Sequence, residues 1–398
     1  MKVQLKNDDR ITVLMLSWRD IRNPYMGGAE VYTHEILKRL NDKKYRIVHL
    51  SPVFEGSPKS EIIDGILYLR CGSTRTIIGH AISFYNMNKK KIDIVIDQCN
   101  AFRFFSSFWV SKKKRIFLEF QLYRELWKVM AKFPISTIGK IMETPMLKLN
   151  CHDYAITESD SVRQEMLQVG FEARKLSVIP IGLGFEPWDE EKFLPKEEHT
   201  FIYVGRCVKS KGINDLLKAF GKVKKQYTDA KLWIVGNCRN EMLENLLPII
   251  REYNLTYGKD RTNDIVFWGF VSEEKKLELQ SRATVQVFPS MREGWGIIIT
   301  EAAAVGTPSI VYNVTGCCDA VDYGNAGYLC KTNAVEELQE KMESALADKI
   351  TYTRMQRNAH EFSKKFNWDV SAKMFDEKLM QVQALKKVGE YEPSNEGE

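Results

Sequence analysis

Glu293 and Glu301 stand eight residues apart in SMREGWGIIITEAAAVGTP, residues 290–308, around a Gly-Trp-Gly turn that runs into small apolar residues. A carboxylate accepts hydrogen bonds from hydroxyls and repels phosphate. The free N–H groups of a helix starting at the turn favour negative charge, and Gly294 and Gly296, flanking Trp295, let the backbone approach a ligand closely. Counted at 1.5 Å per helical residue, the two glutamates are roughly 12 Å apart, about the reach from a hexose across a diphosphate to a ribose. The pattern predicts sugar hydroxyls at Glu293, ribose hydroxyls at Glu301 and phosphates between them. The alternative for Glu301 is a glutamate of the first helical turn, placed there by the helix dipole.

Two further stretches carry matching chemistry. FIYVGRCVKSKGINDLLKAF, from residue 201, reads as a strand, a loop with Arg206, Lys209 and Lys211, and a helix. Cations at a strand end, next to the amides of a helix N-terminus, suit a diphosphate, and a solvated basic loop explains the same residues equally well. Near the start, ITVLMLSW is followed by Gly27-Gly28 and an amphipathic helix, which permits close approach of a ligand to the backbone. The six histidines, at 34, 49, 80, 152, 199 and 360, form no motif, and His34 reads as a packing residue.

The elements that position these residues follow from the apolar pattern. ITVLMLSW, RIVHLSP, IDIVIDQC, RIFLEF, YAITES and LSVIPIG are candidate strands of the first half, and FIYVG, KLWIVG, IVFWGF, TVQVFPS and SIVYNV of the second. Alternation with amphipathic stretches argues for parallel sheets in βα units. The expected fold is α/β: two doubly wound Rossmann-like domains facing a central cleft. Its expected layout is a first, acceptor-side domain over 1–183, a charged linker over 184–199, a second, nucleotide-sugar-binding domain over 200–365, a C-terminal helix over 366–386 returning to the first domain, and a polar tail over 387–398.

Composition narrows the class. Apolar residues at 44% and charged residues at 28% are ordinary for a globular protein, and no apolar run reaches the length of a membrane span. Eight cysteines without a CxxC pair read as reduced thiols. Residues 1–180 hold 29 Lys/Arg against 19 Asp/Glu, a net of +10, and the remainder 29 against 33, a net of −4. The basic half therefore faces something anionic. AFRFFSSFWVSKKKRIF and the spaced lysines of ELWKVMAKFPISTIGKIMETPMLKL fit anionic lipid headgroups, each cation near the surface adding about 1 kcal/mol; a buried strand and helix with solvated lysines fits them as well. Nucleic acid is excluded for want of a binding module. The expectation is a cytoplasmic protein, in one reading peripheral at the inner face of the membrane.

Together, Gly27-Gly28-Ala29-Glu30, Gly205-Arg206 with Lys211-Gly212, Gly269-Phe270-Val271 and Glu293 through Glu301 resemble the ordered signatures of glycosyltransferase family 4, retaining enzymes of the GT-B fold that use nucleotide sugars. The resemblance spans about residues 11–375. It implies a hexosyltransferase of cell-envelope glycan biosynthesis in which Arg206 and Lys211 neutralise the donor diphosphate, Glu293 contacts the hexose and Glu301 the ribose. Phe270 and Val271 then line the base pocket, and Gly27 and Gly28 face the donor phosphates. Two positions depart from the family. The loop after RIFLEF has no histidine, leaving Glu119 and Gln121 as its nearest polar residues, and Ile181 replaces a usual asparagine. No Asp-x-Asp metal signature is present, so the resemblance implies front-face transfer without metal or other cofactor, to a hydroxyl acceptor, lipid-linked in one version. A nucleotide-sugar epimerase of similar fold and a catalytically altered binding member remain open.

Overall fold

The computed structural model describes residues 4–100 and 102–389; most of the expected polar tail, 390–398, lies outside them, as does Ala101 in the aromatic stretch. By contacts the chain divides into two compact units. One takes in the chain up to Leu122, Ile141–Gly182 and the chain from Asn367 on; the other takes in Tyr123–Lys140 and Leu183–Phe366. Residues 123–140 thus interrupt the first unit and group with the second.

The first unit holds an eight-stranded sheet: β1 (Ile11–Leu16), β2 (Tyr45–Ser51), β3 (Ser60–Ile63), β4 (Ile66–Arg70), β5 (Ile94–Cys99), β6 (Arg115–Glu119), β7 (Tyr154–Thr157) and β8 (Leu176–Val178), in the order β3-β4-β2-β1-β5-β6-β7-β8. All pairings are parallel except β3 with β4. That hairpin turns on Asp64-Gly65, both at positive φ, 48° and 78°, the geometry of a two-residue hairpin turn. The second unit holds β9 (Glu197–Val204), β10 (Lys231–Val235), β11 (Tyr257–Gly258), β12 (Ile265–Gly269), β13 (Ala283–Phe288), β14 (Ser309–Tyr312) and β15 (Tyr328–Cys330), all parallel, in the order β11-β12-β10-β9-β13-β14-β15.

All eleven apolar runs picked out in the sequence are strands. Four further strands, β3, β4, β11 and β15, were not among those runs; β3, β11 and β15 are only two to four residues long. The interiors are apolar and buried: Leu14, Val48, Leu69 and Phe84 build one core of the first sheet, Phe117, Ala155, Val162 and Met166 another. Ile202, Trp233, Val266 and Leu279 fill the second unit. In each sheet the strand order reverses beside the first strand, between β1 and β5 and between β9 and β13. Crevices for ligands open at such switch points, beyond the C-terminal ends of the strands.

Candidate functional site

At the switch point of the second unit, the loops after β9 and β13 are joined to each other. The Met291 N–H donates to the Ser210 carbonyl at 2.9 Å, and Ser290 Oγ lies 3.2 Å from the same oxygen. Between them Gly212 adopts φ 71° and packs so tightly that a Cβ there would stand 1.8 Å from the Pro289 carbonyl oxygen. This contact brings two of the sequence-predicted residues together: Lys211 Nζ donates to Glu293 Oε1 at 2.5 Å, and Lys211 lies over the Phe288 ring at 5.6 Å. Glu293 Oε1 also accepts from Ser290 Oγ at 2.6 Å. Arg206 is exposed on the same loop, its guanidinium without an ion-pair partner among the described residues.

The backbone around this pair is built from glycine. Gly205, Gly236 and Gly269 end β9, β10 and β12, all at positive φ, and a Cβ on Gly236 would meet the Gly205 carbonyl oxygen at 2.1 Å. All three are half-buried and tie the strand ends together: the Gly205 N–H donates to the Val235 carbonyl at 2.9 Å and the Gly236 N–H to the Gly269 carbonyl at 2.8 Å. On the other side Gly316 sits at φ 80°, where a Cβ would stand 2.6 Å from the Glu293 carbonyl oxygen and the Gly294 backbone, and the Glu293 N–H donates to the Thr315 carbonyl at 3.1 Å. Arg292 is tied to Glu125 Oε1 at 2.9 Å and to Thr315 Oγ1 at 3.0 Å. Sequence reading missed Ser290, Thr315 and Gly316; the Thr-Gly pair shortly after β14, two residues beyond Asn313, was the available signal.

Other predicted residues sit differently. Trp295 is buried, its Nε1–H donating to Thr300 Oγ1 at 2.9 Å and its ring edge-on to Phe366 at 4.9 Å, so it props the turn from behind. The helix begins only at Ile297, after Gly296 at φ 92°. The 12 Å separation expected of the two glutamates is therefore not a helical distance, because only the last four residues up to Glu301 rise helically. Glu301 is no free carboxylate: Lys276 Nζ stands 2.7 Å from its Oε2. Burial raises the Glu301 pKa against the pull of that lysine. Phe270 is 89% exposed, and Val271 is partly buried against the core of the second unit.

In the first unit, Gly27 precedes the helix Gly28–Leu37, and its N–H is taken by Glu30 Oε2 at 2.6 Å. Arg19 Nε holds the other Glu30 oxygen at 3.0 Å. Glu119 closes β6 at 2% exposure. Burial pushes its pKa up to about 8, against the pull of Arg103 and a hydrogen bond with Cys99. Gln121 Oε1 is buried without a hydrogen-bond partner. His34 is a packing residue held by the Tyr68 hydroxyl at 2.8 Å and Asp64 at 2.9 Å. Of the aromatics in AFRFFSSFW, Phe104 is fully buried while Phe102 and Phe108 are exposed; in the basic cluster Arg115 is buried on Asp153 at 2.6 Å. Phe105 and Trp109 are half-buried and Lys112 and Lys113 exposed, so the stretch mixes core and surface positions and is not one continuous aromatic face. Among the described residues no helix is long and apolar enough to cross a membrane.

Comparison with known proteins gives a consistent picture. Residues 184–362 match the family model of glycosyl transferases group 1. The chain is 26% identical over 247 residues to the capsular polysaccharide biosynthesis glycosyltransferase CapM of Staphylococcus aureus, across 57% of this chain and 62% of that protein. The match thus spans less than two thirds of that relative's length. Sucrose-phosphate synthase from Thermosynechococcus elongatus superposes with a TM-score of 0.75 at 19% identity, over 94% of this chain and all of that one. Anabaena HepE, in a complex with UDP-glucose, superposes with a TM-score of 0.65 at 15% identity over 94% of this chain and 100% of that one. These structural likenesses establish the GT-B fold.

Proposed function

We propose that this chain, whose residues 184–362 match the family model of glycosyl transferases group 1, transfers a hexose from a nucleoside-diphosphate sugar to a hydroxyl acceptor with retention at the anomeric carbon. The observation that carries the reading is the Lys211–Glu293 pair at the switch point of the second sheet, 2.5 Å apart on two interlocked loops. A cation for phosphate and a carboxylate for hydroxyls are the two groups a sugar diphosphate requires side by side. HepE, of the same fold, was captured with such a donor.

The proposed chemistry breaks the bond from the anomeric carbon to the diphosphate oxygen and forms one to the acceptor oxygen on the same face. The acceptor proton passes to the departing phosphate oxygen, so no protein base is required. Lys211 and Arg206 offset the charge growing on the diphosphate, the step at which fixed positive groups act most strongly. A bound diphosphate competes with Glu293 for Lys211, releasing the carboxylate to the sugar hydroxyls while Ser290 still orients it. With cations in this position and no Asp-x-Asp in the sequence, transfer is expected to survive excess EDTA; loss restored by Mg²⁺ would overturn metal independence. Nucleoside diphosphate released only when an acceptor is supplied supports transfer, whereas conversion of the sugar nucleotide alone supports epimerisation.

The acceptor side is proposed to work at an anionic membrane surface. The helix Ile135–Lys148 exposes Ile135, Ile138, Ile141 and Met142 at helical spacing, preceded by exposed Met130 and Phe133 and accompanied by exposed Lys128, Lys132 and Lys140. An apolar stripe edged by lysines suits a headgroup layer. Ile138→Asp with Ile141→Asp should abolish co-sedimentation with phosphatidylglycerol vesicles; unchanged sedimentation would remove this part and leave the transfer reading intact.

A further inference from the structure

Far in sequence from Lys211 and Glu293, His360 lies near the C-terminal end of the helix Lys349–Ser363, 2% exposed. Its Nε2 stands 2.8 Å from the Trp188 carbonyl oxygen. A carbonyl only accepts, so Nε2 carries the proton, and in the neutral ring Nδ1 has a bare lone pair. That Nδ1 is buried and has no hydrogen-bond partner, a costly condition for a polar atom. Carboxylate oxygens of Glu190 and Glu361 stand around it, the three atoms all within 4.8 Å of one another, with Glu361 Oε1 at 4.0 Å from Nδ1.

From this arrangement we infer a divalent-cation site formed by His360 Nδ1, Glu190 and Glu361, with Zn²⁺ as the best-fitting ion. One imidazole nitrogen and two carboxylates suit zinc and its neighbours, whereas Mg²⁺ and Ca²⁺ prefer oxygen alone. The Trp188 carbonyl supplies the usual partner for the far N–H of a ligating histidine, fixing its tautomer and ring angle. Ligands bonded at about 2.0 Å in a tetrahedron are roughly 3.3 Å apart, so the carboxylates close inward by an ångström or so, and both are exposed and free to turn. Glu190 has no side-chain partner among the described residues. Glu361 is paired with Lys364 at 2.6 Å, and an exposed pair of this kind gives way at little cost.

The site joins the turn Glu190–Lys192, which leads into β9, to the last long helix of the second unit; Phe193 already rests edge-on against the His360 ring at 4.9 Å. A shared ion is thus a staple within this unit, chemically separate from sugar transfer and independent of that reading.

The test uses the full chain freed of metal with a chelator. Titration with ZnCl₂ should show one tight site, and at zinc a hundredfold above Kd the Tm should rise by roughly 5–10 °C. Glu190→Gln and the double variant Glu190→Gln/Glu361→Gln should lose at least tenfold in zinc affinity, and the double variant should lose the Tm rise. Both carboxylates are exposed, so these variants keep the test valid should His360→Gln fail to fold. Because the chain also has eight free cysteines, Co²⁺ should be bound without a thiolate charge-transfer band. No zinc binding, a thiolate band, or carboxamide variants that bind zinc as wild type does would each overturn the site.

Discussion

After β1 the chain reaches Gly27 at φ −151°, extended backbone open to any residue, and the amide there is satisfied by Glu30, itself held by Arg19. After β9 it reaches Gly212 at φ 71°, pressed onto the Pro289 carbonyl, with Lys211 beside it and Arg206 unpaired. Both are glycine turns from strand to helix at a switch point, yet the first closes its helix end with its own carboxylate while the second gathers positive charge. A carboxylate at a helix N-terminus does locally what a bound phosphate would do. The glycines alone therefore do not mark a phosphate site; the sign of the charge next to them decides.

The largest effect that would test this contrast is on turnover. Lys211→Ala and Arg206→Ala should each lower kcat by two or more orders of magnitude, at least about 2.7 kcal/mol of lost transition-state stabilisation, with circular dichroism unchanged. Glu30→Gln, at the other turn, should lower stability by about 1 kcal/mol, as loss of a cap does, and leave the chemical step nearly intact. Steady-state kinetics that rank the three the other way would reverse the roles assigned to the two turns.

Much of the second site was legible because its signals are local. Arg206 and Lys211 sit on one short loop, and Glu293 follows the end of β13 directly, so chain order alone put them near a sheet edge. What stayed hidden arises from strands that meet only in the fold. Gly316 contacts the Glu293 backbone because β14 lies beside β13, and Lys276 reaches Glu301 from the preceding helix; no spacing rule links those positions. The reverse error came from applying helical rise across 293–301, although Gly296 at φ 92° delays the helix by four residues. His360 was unreadable as a ligand because its partner Glu190 is 170 residues away.

A second way to sharpen the comparison is through the glycines themselves. Gly212→Ala forces a left-handed residue, at roughly 1–2 kcal/mol, and pushes a methyl into the Pro289 backbone, so the variant should lose well over 2 kcal/mol of stability and most activity. Gly27→Ala meets nothing closer than Glu30 Oε2 at 3.8 Å and should cost less than about 1 kcal/mol. Urea unfolding of both variants checks this; equal losses would mean that close packing does not distinguish the two turns.

Glu301→Ala is a subtler case, because Lys276 already occupies the carboxylate. If the carboxylate also binds the ribose, calorimetry should find nucleoside diphosphate weakened by roughly 1–3 kcal/mol, the worth of a charge-assisted hydrogen bond. A normal affinity with a lowered Tm would assign Glu301 to Lys276 alone and confine ligand recognition at this edge to Glu293.

A last test concerns Glu119, which ends β6 in the first unit without, among the described residues, a close ion pair of the kind that holds Glu30. Its pKa is raised from 4.5 to about 8, chiefly by burial, with Arg103 opposing. Between those two values the unfolded chain has released the proton and the folded chain still holds it. Folding is therefore linked to proton uptake, and stability falls as pH rises through this window, by at most about 1.4 kcal/mol per unit. Below pH 4.5 the contribution is fully present; above 8 its loss is complete. Glu119→Gln mimics the neutral acid and has no proton to lose, so its stability relative to wild type should grow steadily from pH 5 to pH 8 in urea unfolding. Parallel profiles would show that the carboxyl is ionised in the folded protein. The same variant separates scaffold from site: if Glu119 meets the acceptor, the pH profile of kcat/KM shifts along with the stability profile, and if only stability moves, the carboxyl belongs to the frame of the first sheet, as Glu30 does.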